Sequence, residues 1–208
     1  MSTLLSTTQT AESQAAISPA DAIQMLKDGN GRFLDRTPID RAYDEQIAAT
    51  ATGQYPYAVV LGCIDSRVPV ETVFDQGIGD IFTPRVAGNI VNEDLLGSME
   101  FACKLAGSKA IVVLGHTSCG AVKGAIGKAR LGNLTALVTK IEPVVDQVAE
   151  TMDSEDAGFV DAVAVANVHA TIDAIRAQSE VLAEMESNGE IAIVGAMYDV
   201  ASGKVSFL

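Results

Sequence analysis

Two short stretches of this chain are near copies of each other: Ala58-Val59-Val60-Leu61-Gly62 and Ile111-Val112-Val113-Leu114-Gly115. Each is uncharged, rich in β-branched residues and closed by glycine. A strand exposed on one face alternates apolar with polar side chains, whereas a run with no polar position has to be covered on both faces. Sheets covered on both faces are usually parallel, because parallel strands need crossover connections and the crossover helices supply the cover. The two runs therefore predict an α/β fold with a mainly parallel central sheet flanked by helices. Residues 190–196 repeat the strand-then-glycine pattern, and Ala201-Ser202-Gly203-Lys204 reads as a turn into a C-terminal hairpin or edge strand over 205–208. Residues 81–86 read as another strand, with Pro84 confining it to an edge or an irregular end.

The segments between carry helix signals. Ser18-Pro19-Ala20-Asp21 offers an N-cap, a proline at the first position and an acid in the first turn. Gly29-Asn30-Gly31 is expected to interrupt or split that helix. Further helices are expected over 42–50, 69–74, 92–106 (capped by Asn92 and closed by Gly107), 120–130 and 134–148, with a break at Pro143, and one long helix over 159–186. Residues 1–17, rich in Ser, Thr, Ala and Gln, lack periodicity and read as a mobile N-terminal arm. Residues 18–208 then form a single α/β domain, a length that suits one core.

The two matched runs deliver their chemistry at the same place. Cys63-Ile64-Asp65-Ser66-Arg67 follows the first and His116-Thr117-Ser118-Cys119 follows the second. In open α/β sheets the strand C-terminal ends are where sites form, because the connecting loops diverge there. Thiolate and imidazole are the ligands that zinc prefers, and three protein ligands leave a fourth position for water or substrate. Cys63, His116 and Cys119 make such a set, and the chain has only two histidines to spend. Alternation along an extended segment points Cys63, Asp65 and Arg67 to one side, so a carboxylate and a guanidinium would flank the ion. Such a pair makes two parallel hydrogen bonds. With Asp65 on Arg67 the fourth position is open; with Asp65 turned onto the ion it is closed, and low pH should favour closure. Two thiolates and a neutral imidazole cancel the charge of zinc, so activity should lean alkaline.

Other reactive residues read more plainly. Cys103, between Phe101 and Leu105, fits a small core hydrophobe. His169 sits among apolar helix positions and fits a packed histidine better than a proton relay. Tyr198 suits a pocket wall or a plug at the sheet edge equally well. Glycines 120, 124 and 127 point to close helix packing, since no phosphate-loop signature accompanies them. A net charge of −13 argues against nucleic acid or an anionic membrane surface as partner. Three cysteines, no visible secretory signal and no long uncharged apolar run suggest a reducing, cytoplasmic setting without a membrane span.

Cys-x-Asp-x-Arg followed by His-x-x-Cys, with Arg85-Val86-Ala87-Gly88-Asn89 between them, resembles the β-class carbonic anhydrases. The likeness runs from about residue 18 to the C-terminus and is most specific over 58–124. It implies one Zn²⁺ per chain on Cys63, His116 and Cys119, with Asp65 joining only in a closed state. It also implies Asp65 and Arg67 as the catalytic pair, reversible hydration of CO₂ to bicarbonate and a proton, and a homodimer or dimer of dimers. Carbonyl sulfide and carbon disulfide hydrolases resemble the same family and are the nearest alternative; a zinc-stabilised scaffold without catalysis is another. With no tryptophan in the chain, the tryptophan-lined inhibitory bicarbonate pocket of some bacterial relatives cannot be reproduced as such.

Overall fold

The computed structural model describes residues 8–208. Among these residues the strands form one sheet in the order β2-β1-β3-β4-β5, with β1 (Ala58–Gly62), β2 (Ile81–Phe82), β3 (Ala110–His116), β4 (Ala192–Tyr198) and β5 (Val205–Phe207). All neighbours run parallel except β5, which returns antiparallel on β4 through the turn expected at 201–204. Every residue of β1 and β3 is buried, as their unbroken apolar sequences require.

The pleat divides the core in two. Val59, Leu61 and Cys63 pack with Ile111, Val113 and the long helix α9 (Phe159–Gln178) on one face. Ala58, Val60, Val112 and Leu114 pack on the other with Leu26, Phe74 and Tyr198. Tyr198 is thus a plug on the opposite face of the sheet, its ring buried against the N-terminal helix layer. The register sets Gly62 beside Leu114, two residues before His116, so the loops that carry Cys63 and Cys119 leave the same edge of the sheet side by side. β2 has only two paired residues, and the chain regains contact with β1 through a single bridge from Arg85 to Gly62, just beyond Pro84.

Helices α2 (Pro19–Asp35), α3 (Tyr43–Thr50), α4 (Val70–Val73), α5 (Glu93–Glu100), α6 (Gly120–Ile126), α7 (Gly132–Val138), α8 (Glu142–Ala149) and α10 (Glu180–Ser187) complete the layers. Several depart from the sequence expectation for identifiable reasons. Residues 11–16, read as part of an aperiodic arm, form helix α1 (Ala11–Ala16), opened by a Thr10/Ser13 capping box. Its Gln14 is buried and donates to the carbonyls of Pro56 and Ala106. Residues 1–7 lie outside the described residues.

Helix α2 runs straight through Gly29-Asn30-Gly31. Gly29 is where the helix meets the Phe74 carbonyl; a Cβ there would stand 1.9 Å from that oxygen. Asn30 donates to the Val73 and Gly203 carbonyls and accepts from the Val205 N–H. These residues cost helix propensity and supply docking. The helix after Asn92 ends in a π turn over Phe101–Leu105. The single long helix expected over 159–186 is two, because Ser179 leaves the helical conformation, accepts from the Leu182 N–H and donates to Glu100 Oε1. Pro143 begins α8 afresh, as expected. His169, expected to be packed, is exposed on α9. Cys103 is buried, and burial pushes its thiol up to about 12, as an inert core residue.

Away from the sheet edge, Arg32 and Arg41 both close on the buried Asp75 carboxylate, at 2.5 and 2.6 Å. This clamp ties α2 and the segment before α3 to the loop after α4. No helix among the described residues is long and apolar enough to cross a membrane.

Candidate metal centre

The loops after β1 and β3 bring Cys63, His116 and Cys119 together, with their ligand atoms all within 4.8 Å of one another. Their burial is nearly complete: 3%, 0% and 1% exposed. The His116 Nδ1 faces the Thr117 carbonyl at 2.9 Å, a contact that needs the proton on Nδ1. Nε2 is therefore left bare of hydrogen and turned to the two sulfurs. It is buried and has no hydrogen-bond partner among the described residues.

Burying an unsatisfied imidazole nitrogen is costly, and a pair of thiols beside it is an unusual place to leave one. The neighbouring Cys119 thiol holds the Cys63 thiol well below its usual value, with help from the Gly88 N–H at 3.4 Å. Cys119, which keeps the proton and is itself buried, is pushed up. The donor set and the orphaned nitrogen fit a metal ion of the zinc type.

Asp65 and Arg67 lie at the rim. Arg67 Nε donates to Asp65 Oδ1 at 2.9 Å and Nη2 to Oδ2 at 2.7 Å, while the Arg67 backbone N–H also reaches Oδ1 at 2.9 Å. These bonds hold the Asp65 carboxyl well below the usual carboxylate range. Its Oδ2 is 3.9 Å from His116 Nε2, so the carboxylate borders the donor group while engaged with the guanidinium. The arrangement offers two thiols and an imidazole for an ion, and beside them a carboxylate paired with a guanidinium.

Residues 58–205 match the sequence model of a family described as carbonic anhydrase. Among solved structures, two tetrameric β-carbonic anhydrases of the ascomycete Sordaria macrospora are represented by a chain with a TM-score of 0.73 at 28% identity, covering 78% of this chain and 85% of that one. The chain belongs to the β-carbonic anhydrase family. The β-carbonic anhydrase CafA of Aspergillus fumigatus superposes with the same TM-score at 29% identity, over 91% of this chain and 89% of its own. In sequence, "Carbonic anhydrase 2" of Mycobacterium tuberculosis is 37% identical over 190 residues, 89% of this chain and 91% of that protein. The β-carbonic anhydrase fold therefore accounts for nearly the whole chain and not for the sheet alone.

Within that fold, two residues at the site had no sequence signal for the contacts they make. Arg85 donates from Nε to the Cys63 carbonyl at 2.8 Å and from Nη2 to the Asp65 carbonyl at 2.7 Å, clamping the backbone of the first loop. Asp161, in the first turn of α9, accepts the Ser118 N–H at 2.8 Å. Arg85 was visible only as part of a motif, and Asp161 only as an acid at a helix start. Farther off, a groove of about 1060 Å³ is lined by Arg41, Asp75 and Gly77, and the three donors take no part in it.

Proposed function

We propose that this protein is a zinc-dependent carbonic anhydrase that interconverts CO₂ and water with bicarbonate and a proton, using Asp65 and Arg67 as its catalytic pair. The observation that carries the reading is the bare, buried His116 Nε2 facing two cysteine sulfurs, with an ionised carboxylate at the border. Cys63, His116 and Cys119 would hold the ion. Zinc, when bound, supplies a Lewis acid that lowers the pKa of a water toward neutrality.

The rest is the work of the chain. Asp65 is an acceptor only, because Arg67 keeps it ionised. It accepts a hydrogen bond from the reacting water and aims the water's lone pair at the substrate carbon. Arg67 fixes the direction of that acceptor through two parallel bonds. His116 is kept in the ligating tautomer by the Thr117 carbonyl. Arg85 holds the carbonyls of Cys63 and Asp65 so that donor and acceptor keep their spacing. Released from Arg67, Asp65 is close enough to the donors to enter the set and shut the site, which is the closed form of the same proposal.

The proposal takes residues 18–208 as the catalytic unit, placed in a reducing cytoplasm where its three free cysteines stay reduced. It also takes a homodimer or dimer of dimers as the working form. The tetrameric state of the Sordaria relatives supports this, as do Phe101 and Leu105, which are 50% and 77% exposed near the short edge strand β2. The test is stopped-flow CO₂ hydration by zinc-loaded protein, before and after chelation. Activity lost with the metal and restored by zinc is expected. Zinc-loaded protein that leaves CO₂ untouched but hydrolyses carbonyl sulfide would overturn the substrate.

A further inference from the structure

The two ligand loops are covalently remote, and the charged pair that flanks the donors belongs entirely to the first. Among the described residues, one hydrogen bond joins the pair to the second loop: Arg67 Nη2, which already donates to Asp65, also donates to the Ser118 carbonyl at 3.3 Å. Arg67 is half exposed, so few other contacts restrain the guanidinium. The direction of the Ser118 carbonyl thus matters more than its distance in sequence from the pair suggests.

Ser118 is left-handed, with φ of 54°. An L-residue other than glycine holds that conformation only where neighbours enforce it. Its flanks are tied by Thr117, whose N–H donates to the Tyr198 carbonyl and whose hydroxyl accepts from the Val200 N–H. The Ser118 N–H itself goes to the Asp161 carboxylate, a charged acceptor and therefore a strong one. That bond fixes the peptide on one side of Ser118, and the carbonyl on the other side then faces Arg67.

We propose that Asp161 is a positioning residue for the Asp65–Arg67 pair, acting through the left-handed Ser118, whose N–H donates to it and whose carbonyl accepts from Arg67. The proposal rests on the reading of Asp65 and Arg67 as the pair that orients water. An acid in the first turn of a helix also suits the helix dipole, and that merely structural role predicts a different set of results.

In zinc-loaded protein, D161A should keep one zinc per chain and lower kcat for CO₂ hydration about tenfold, with KM little changed, the size of loss expected when a reacting group is slightly misplaced. Hydrogen exchange of the Arg67 Nε–H, followed by nitrogen NMR, should quicken in the same variant. D161N keeps an oxygen acceptor for the Ser118 N–H and should recover most of kcat, although it removes the charge that favours the helix dipole. The double variant D161A/S118G should also recover part of it, since glycine takes the left-handed conformation freely. R67A separates the role of the pair from that of Asp161. If R67A keeps full activity, the reading of the pair fails. If R67A loses activity while D161A changes neither kcat nor Arg67 exchange, the proposal for Asp161 fails alone. Equal losses in D161A and D161N would also overturn it, because the dipole role predicts them. Should D161A not fold, the unmutated protein still decides: a Ser118 amide protected from exchange supports the bond, and exchange at the intrinsic rate removes it.

Discussion

The loops that carry Cys63 and His116 leave matched strands at one edge of the sheet, yet they are built differently. The second loop, 116–119, is tied to the neighbouring strand and to α9. Its strand β3 lies between β1 and β4, so Thr117 finds the Tyr198 carbonyl and the Val200 N–H within reach. The first loop, 63–67, follows β1, whose outer neighbour β2 is two residues long. With little strand beside it, its carbonyls are satisfied by the Arg85 side chain instead. Burial follows the same division. His116 and Cys119 are closed off from solvent, whereas the first loop exposes Ile64 by 61% and leaves Arg67 half out. One loop supplies fixed donors; the other supplies a donor and a charged pair with room to turn.

The largest effect should come from the rigid loop. His116→Ala removes the bare imidazole, and zinc content measured by atomic absorption should fall well below one per chain. Activity should drop by more than about 100-fold, since even partners outside a ligand shell can cost that much. A variant that keeps both zinc and turnover would mean that the second loop is not the anchor.

Arg67→Ala cuts the other way. It leaves all three donors in place, so zinc should stay bound, while kcat should fall about 100-fold, in the range of a lost proton-handling group. Paired with His116→Ala, it separates holding the ion from orienting the water. Loss of zinc in both variants would erase the division between the loops.

Asp75→Ala is the control outside both loops. It leaves Arg32 and Arg41 without their shared partner and should cost about 3 kcal/mol of unfolding free energy in denaturant titrations, as breaking a buried ion pair does. Activity per folded molecule should hold. Burial alone would raise the Asp75 carboxyl, but hydrogen bonds from Arg32 and Arg41 outweigh it and leave it below its ordinary value of 3.8. A depressed carboxyl stabilises the fold above that value, and the contribution is lost as pH falls through the folded one. The wild-type protein should therefore lose stability below about pH 4, and D75A should lose less over the same range. An equal acid loss in both would place the linkage elsewhere.

How far the sequence carries depends on the range of the interaction. The uncharged runs of β1 and β3 declare burial on both faces, and that constraint leads to a parallel sheet without knowledge of any partner. The nearness of Cys63 to His116 and Cys119 follows from the same repeat, because register puts the ends of matched strands side by side. Local rules failed where a distant group outbid them. Gly29 and Asn30 look like a helix break, but the Phe74 carbonyl and the β5 strand pay for their place in α2. Ser179 hides a helix end because a serine reads as a cap only once its fold neighbour Glu100 is known. His169 has helix neighbours that are apolar, yet its own position faces outward. Asp161 and Arg85 act on backbone atoms 43 and 22 residues away, and backbone atoms carry no sequence signature.

Both loops are expected to close on one ion, and zinc-edge X-ray absorption of the loaded protein near pH 8 measures that directly. It should show two sulfur neighbours at about 2.3 Å and lighter nitrogen or oxygen neighbours near 2.0 to 2.1 Å. A site with a single sulfur, or with none, would mean that Cys63 and Cys119 do not share the metal, and the two-loop centre would be wrong.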